Sequence, residues 1–193
     1  MLFPKGPDAR AVVLVEGTSD KVALETLARR RGRVLMAEGV VVLATGGIHA
    51  VGRFLDRFGP QGADARLAGL CDEGEESVLR RALERAGLGS ELSRAELERL
   101  GFFVCVADLE DELVRAVGPD GVETVIADEG ELAAFRTFQK QPAKRDLSRE
   151  QQLWRFMWNR KIAPLLVEAL DLDRVPRALD GVLAHLDQTP RHG

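Results

Sequence analysis

Residues 11–31 read AVVLVEGTSDKVALETLARRR. The apolar run 12–15 is too short for a helix and rich in valine, so it predicts a buried strand. It stops on Glu16-Gly17, and residues 19–31 then place Val22, Leu24, Leu27 and Ala28 along one helical face. The first turn of that helix carries a second acid, Asp20. The same alternation recurs along the chain. Runs 40–44, 67–71 and 102–107 predict three more strands, and helical spacing marks 48–58, 76–87 and 93–100, with Gly87 as a stop signal. Strands that are nearly continuous apolar runs, separated by helices, indicate an α/β fold with a parallel sheet covered on both faces.

In such a sheet ligands gather beyond the carboxyl ends of the strands. The four predicted strands end at Glu16, at Thr45-Gly46-Gly47, at Asp72, and at Asp108 with Glu110 two residues on. Three ends deliver acids to one rim. The other delivers a glycine pair, Gly46 and Gly47, whose conformational freedom lets backbone approach a phosphate or a metal. Converging carboxylates repel one another and lose hydration, so they call for a compensating cation. An all-oxygen donor set suits Mg²⁺ or Mn²⁺, as one or two ions. Each acid also has a plainer reading. Thr18 or Ser19 can cap the first helix while Asp20 complements its dipole, and Glu73, Glu75 and Glu76 read first as acids of a helix that starts after Gly74. Among Glu110, Asp111 and Glu112, at least two read as first-turn acids.

After residue 108 the pattern is helical, broken by Pro142, Pro164 and Pro176, and it predicts a helical layer packed on the sheet, with the tail DQTPRHG frayed. Residues 8–118 form the expected core, 119–187 the helical extension and 188–193 a disordered tail. The net charge of −4 argues against nonspecific nucleic-acid binding by the whole surface, but basic residues cluster at Arg29 to Arg33 and again at Lys140, Lys144, Arg145 and Arg160. The first cluster reads as a solvated face or dipole complement; the second, interleaved with Trp154, Phe156 and Trp158, is a candidate nucleic-acid contact. Phe135 and Phe138 read as core anchors. Cys71 and Cys105 sit in apolar runs and read as buried thiols, and His185 and His192 lack zinc-ligand spacing. No apolar run approaches the roughly 18 residues needed to cross a bilayer, and MLFPKGPDAR lacks the apolar region of a secretory signal, so a cytoplasmic address and no membrane partner are expected.

At VLVEGTSD the sequence resembles the glutamate motif of TOPRIM domains, the metal-binding fold of topoisomerases, bacterial primases and several nucleases. The form E-G-x-S-D is most similar to the nucleases of the overcoming-lysogenization-defect (OLD) family. By motif order the resemblance spans residues 11–118, through the glycine pair, CDEGE and ADLEDEL, and extends to Arg160-Lys161-Ile162. It implies a four-stranded TOPRIM sheet and a Mg²⁺- or Mn²⁺-dependent phosphodiesterase that cleaves DNA. Carried over, Glu16 and Asp20 match the acidic pair of one metal, Asp72 the first aspartate of D-x-D, and Asp108 and Glu110 the pair of a second metal. Glu16 is thereby also a catalytic residue, and Lys161 matches the base that steadies charge on phosphate.

Gly74 stands where the second D-x-D aspartate would be, with Glu73 or Glu75 as possible substitutes. That departure keeps a second reading open, a non-catalytic TOPRIM module that binds DNA or a partner protein. The family's longer members carry an ATPase, and no G-x-x-x-x-G-K-[ST] occurs in this sequence, so a separately encoded ATPase is a conceivable partner. Homodimerisation is left open. The absence of any tyrosine argues against topoisomerase chemistry by this chain alone, and the glycine after Glu16 argues against a signalling receiver domain, which places adjacent acids at its first strand end.

Overall fold

The computed structural model describes residues 9–157 and 163–188. The four apolar runs form strands β1 (Ala11–Val15), β2 (Val40–Ala44), β3 (Arg66–Asp72) and β4 (Phe102–Cys105). Helices intervene: α1 (Thr18–Arg30), α2 (Val51–Phe58), α3 (Glu76–Arg85) and α4 (Arg94–Arg99). Beyond β4 come α5 (Leu109–Asp128), α6 (Leu132–Gln139), α7 (Arg149–Met157), α8 (Ala163–Ala169) and α9 (Arg177–Asp187). All strand pairs are parallel, in the order β2-β1-β3-β4. The α/β sheet and its flanking helices are as the sequence predicts. The run 102–107 pairs only to Cys105; Val106 is half exposed and Ala107 takes a positive φ of 65°, which ends the ladder two residues early.

Alternation of side chains along each strand sorts the core into two layers. On one face Ala11, Val13, Val15, Val42 and Leu70 pack beneath α1 and the helices from α5 to α9. On the other, Val12, Leu14, Leu67, Cys71 and Phe102 pack beneath α2, α3 and α4. The central strand β1 is buried at all five positions, as its unbroken apolar run requires. Burying each valine or leucine contributes roughly 1.5–3 kcal/mol, so β1 is the best-anchored element of the sheet. The helical extension completes one face rather than sitting on a finished domain: Leu113, Val122, Phe135, Leu153, Leu166 and Leu183 belong to the same cluster as β1. The boundary expected at residue 118 falls on a kink, where Gly118 (φ 78°) and Pro119 interrupt α5.

The basic cluster at the end of α1 is structural. Arg30 donates to the carbonyls of Val167 and Leu170 at the C-terminal end of α8, where acceptors lack a full set of intrahelical donors, while Arg29 pairs with Glu168 and Arg31 with Asp180. These contacts tie α1 to the helical layer.

One glycine is dictated by packing. A Cβ on Gly69 would lie 2.6 Å from the Leu14 carbonyl oxygen and 2.9 Å from the ring of Phe102, its register partner on β4. Gly69→Val is expected to lose about 1–3 kcal/mol by overpacking, read as a lower midpoint in urea denaturation. An unchanged midpoint would show that β3 can shift away from both Leu14 on β1 and Phe102 on β4.

Candidate metal centre

The chain runs from β1 into α1 on one face and from β3 into α3 on the other, so the adjacent strand ends part company. This crevice is where a parallel sheet offers room for a ligand. Glu16 leaves β1 on one side of it and Asp72 ends β3 on the other. A short 3-10 turn at Glu73–Glu75 then brings Glu75 back over the gap. Oxygen atoms of Glu16, Asp72 and Glu75 lie within 4.8 Å of one another.

The surroundings fix each acid differently. The carbonyl of Glu16 accepts the backbone N–H groups of Gly46 (3.0 Å) and Gly47 (3.4 Å), and the Thr45 hydroxyl donates to the Gly47 carbonyl. Gly46 and Gly47 adopt φ of 79° and 112°, a region that suits glycine. Both N–H groups thus face the Glu16 carbonyl, so the glycine pair holds the backbone of Glu16 in place beside the crevice. Gly17, not Thr18 or Ser19, is the N-cap of α1, because the chain turns one residue earlier than the capping expectation placed it; Asp20, in the first turn, accepts the Gly17 N–H at 2.8 Å while facing Glu16 and Asp108 closely enough to feel their charge. Asp108 is the N-cap of α5: its Oδ1 accepts the Asp111 N–H at 2.7 Å and the indole N–H of Trp154, from α7, at 3.2 Å. Glu110 follows in the first turn of α5.

Electrostatics joins these groups into one cluster. Burial pushes the Asp72 carboxyl up to about 7, with Glu16, Asp108, Asp20 and Glu110 adding repulsion. Burial also raises Glu75 to about 7, reinforced by direct contact with Glu16 and by Asp72 and Asp20. Glu110 rises to about 7 through burial and the charge of Asp20, among others. Asp20 is raised too, chiefly by burial, with the Gly17 N–H opposing.

No cation among the described residues forms an ion pair with Glu16, Asp72 or Glu75, and Glu75 Oε2 is buried without a hydrogen-bond donor. Carboxylates arranged in this way must share protons or hold a cation. The oxygen-only donor set fits a hard divalent ion.

Of the two possible substitutes for the second aspartate, only Glu75 reaches the cluster. Glu73 points to Arg94 at 3.4 Å, and Glu76 pairs with Arg80 and Arg94. The plain first-turn reading therefore describes Glu73 and Glu76 and fails for Glu75. Spacing along the chain offers no means of ranking the two glutamates, because the tight turn around Gly74 decides which one swings inward.

The basic candidates lie on the later helices. Lys140 and Arg145 are exposed, Arg145 donates to the Lys140 carbonyl, and Lys144 sits 5.3 Å from the centre of the Phe138 ring. Arg149 is committed to Asp120 and Glu123. Arg160 and Lys161 lie outside the described residues. Phe135 is buried against Phe156, as expected of a core anchor, and burial pushes the Cys71 thiol up to about 12. His185 packs beside Gly101 at the opposite end of the sheet from the acids. No described helix is long and apolar enough to cross a membrane.

Comparison with known proteins agrees with this architecture. Residues 9–65 match the family model of the overcoming lysogenization defect protein-like TOPRIM domain. The C-terminal region of the Xanthomonas campestris pv. campestris OLD protein is 23% identical and superposes with a TM-score of 0.70 over 92% of this chain and 91% of that one. The C-terminal region of the Burkholderia pseudomallei OLD protein is 22% identical, also with a TM-score of 0.70, over 92% of this chain and 97% of that one. No curated protein sequence matches. The chain thus carries a TOPRIM domain resembling that of OLD proteins, and the likeness to the solved structures is one of fold.

Proposed function

We propose that this OLD-like TOPRIM chain is a Mg²⁺- or Mn²⁺-dependent phosphodiesterase that cleaves DNA. The observation that carries the reading is the meeting of Glu16, Asp72 and Glu75 at the switch point of the sheet, with a buried glutamate oxygen lacking any donor. Glu16, Asp72 and Glu75 would hold one ion, and Asp20, Asp108 and Glu110 stand ready to share it or hold a second. A bound divalent ion supplies Lewis-acid activation of water and of the phosphodiester oxygens.

The residues around the acids serve geometry. The glycine-pair clamp keeps the Glu16 backbone from retreating, and the Trp154 indole with the Asp111 N–H fixes Asp108. A negative rim repels a polyanion, so substrate positioning falls to cations. Lys140, Lys144, Arg145 and Arg160 are proposed to track the DNA backbone, which gives affinity without sequence preference. Lys161 is proposed to steady charge on the phosphate at the cleavage step.

Incubation of the chain with supercoiled plasmid and Mn²⁺ tests the reading. Nicked or linear product that disappears with EDTA is expected, and intact plasmid under all divalent conditions would reject it. One feature favours a second reading: Gly74 deprives the site of the usual second aspartate, as in a module that binds DNA or a partner ATPase without cleaving. Calorimetric titration separates the two, since a chain that takes up no Mn²⁺ at millimolar concentration cannot use this chemistry.

A further inference from the structure

The turn that delivers Glu75 has little to hold it. No side chain caps the 3-10 turn at Glu73–Glu75 or the start of α3, and Gly74 sits in open space, with nothing that a Cβ would touch. Whenever these acids are ionised together, the like charges of Glu16 and Asp72 push Glu75 outward. Something outside the turn must oppose that repulsion.

The residues on either side of Glu75 supply the restraint. Glu73 and Glu76 both bind Arg94, which comes from a different helix. The guanidinium lies 3.4 Å from Glu73 Oε1, and its Nε donates to Glu76 Oε2 at 3.2 Å alongside a second, shorter contact from Nη2. Arg80 binds the other oxygen of Glu76, whose side chain is only 14% exposed. On the far side of the turn, the Glu73 N–H donates at 3.3 Å to the carbonyl of Ala107, the residue whose left-handed backbone ends β4.

Arg94 is poorly placed for its own helix. It is the first residue of α4, where the positive end of the helix dipole disfavours a cation. That helix start is nevertheless rigid: the Ser93 hydroxyl accepts the Glu96 N–H, and Glu96 accepts the Ser93 N–H at 2.7 Å. The arginine is thus a planar fork on a fixed mount, aimed at the two neighbours of a carboxylate that it does not itself neutralise.

We infer that Arg94 is a positioning residue of the metal centre, bracing Glu73 and Glu76 so that Glu75 is held inward in place of the missing D-x-D aspartate. The inference rests on the proposed metal centre for its purpose, but the brace itself is a property of the metal-free chain. Partners that orient metal ligands typically change affinity 10- to 100-fold when removed.

Two measurements on the full chain test it. In Mn²⁺ titration calorimetry, Arg94→Gln is expected to raise the dissociation constant roughly 10- to 100-fold. Arg94→Lys, a point charge that cannot span two carboxylates, should fall between it and the parent. Arg99→Gln, on the same helix and paired among the described residues with its i,i+3 partner Glu96, should leave affinity unchanged. In metal-free amide hydrogen exchange, Arg94→Gln should speed exchange at Glu73, Glu75 and Glu76 while the β1 amides stay protected.

Unchanged exchange at those amides overturns the brace, whatever the metal affinity. Faster exchange with Mn²⁺ affinity within twofold of the parent overturns its part in positioning Glu75. If Arg94→Gln does not fold, Arg94→Lys is held to the same two criteria. If the parent chain binds no Mn²⁺, the metal reading fails separately, and the exchange rates alone decide the brace.

Discussion

Glu16→Gln is expected to lower Mn²⁺-dependent plasmid cleavage at least about 10³-fold while leaving the fold intact. The substitution keeps the volume and the backbone carbonyl that Gly46 and Gly47 clamp, so α1 and the sheet have no reason to move. What disappears is the charge at the centre of the cluster, the one acid that contacts Glu75 and lies with Asp72 inside the 4.8 Å group. Losing an anionic ligand there forfeits on the order of 4 kcal/mol of transition-state stabilisation, and each 1.36 kcal/mol is tenfold in rate. The check is a single-turnover cleavage assay beside a thermal melt. Cleavage within tenfold of the parent, at an unchanged melting temperature, would remove Glu16 from the chemistry and the nuclease reading with it.

Metal-free stability should fall as pH rises. Asp72, Glu75 and Glu110 ionise near 7 in the folded chain against ordinary values of 3.8, 4.5 and 4.5. Between those limits the folded state binds more protons than the unfolded state, so stability declines with pH. The favourable contribution is complete below about pH 4 and is lost as pH climbs through 7. In EDTA the melting temperature should therefore drop by several degrees between pH 5 and pH 8, at roughly 2–4 °C per kcal/mol for a chain of this size. Mn²⁺ should restore it at pH 8 and do little at pH 5, where protons already occupy the oxygens. Asp72→Asn should raise the melting temperature in EDTA at pH 8 and abolish the Mn²⁺ effect, opposite signs from one substitution. Differential scanning fluorimetry reads all three, and a flat pH profile in EDTA would mean that the acids do not repel as the geometry requires.

Much of this molecule is visible in its primary structure because strand ends in a parallel sheet share an edge. Once 12–15, 67–71 and 102–107 are read as parallel strands of one sheet, Glu16, Asp72 and Asp108 fall on one rim; that these strands are neighbours, β1-β3-β4, comes from the fold. What local pattern does not carry is side-chain direction after a tight turn. Whether Glu73 or Glu75 enters the centre depends on Arg94, some twenty residues away, and on the carbonyl of Ala107 beyond the next strand. The same holds for Gly46 and Gly47. Their sequence declares conformational freedom, but the acceptor of their N–H groups is the Glu16 carbonyl, which only β1–β2 pairing brings near. Trp154 sits within a basic stretch of sequence, yet it turns its indole to Asp108 because α7 packs against α5.

The two arms of the acidic crevice are rooted in different halves of the protein. Glu16 leads into α1, which Arg30 and Arg31 fasten to α8 and α9, whereas Glu75 leads into α3, which Arg94 fastens to α4. An ion gripping both arms would rivet the two helical walls together across the open seam of the sheet. Any force that slides one wall past the other would loosen that rivet, so mechanical strain on the domain and its hold on the ion become the same variable.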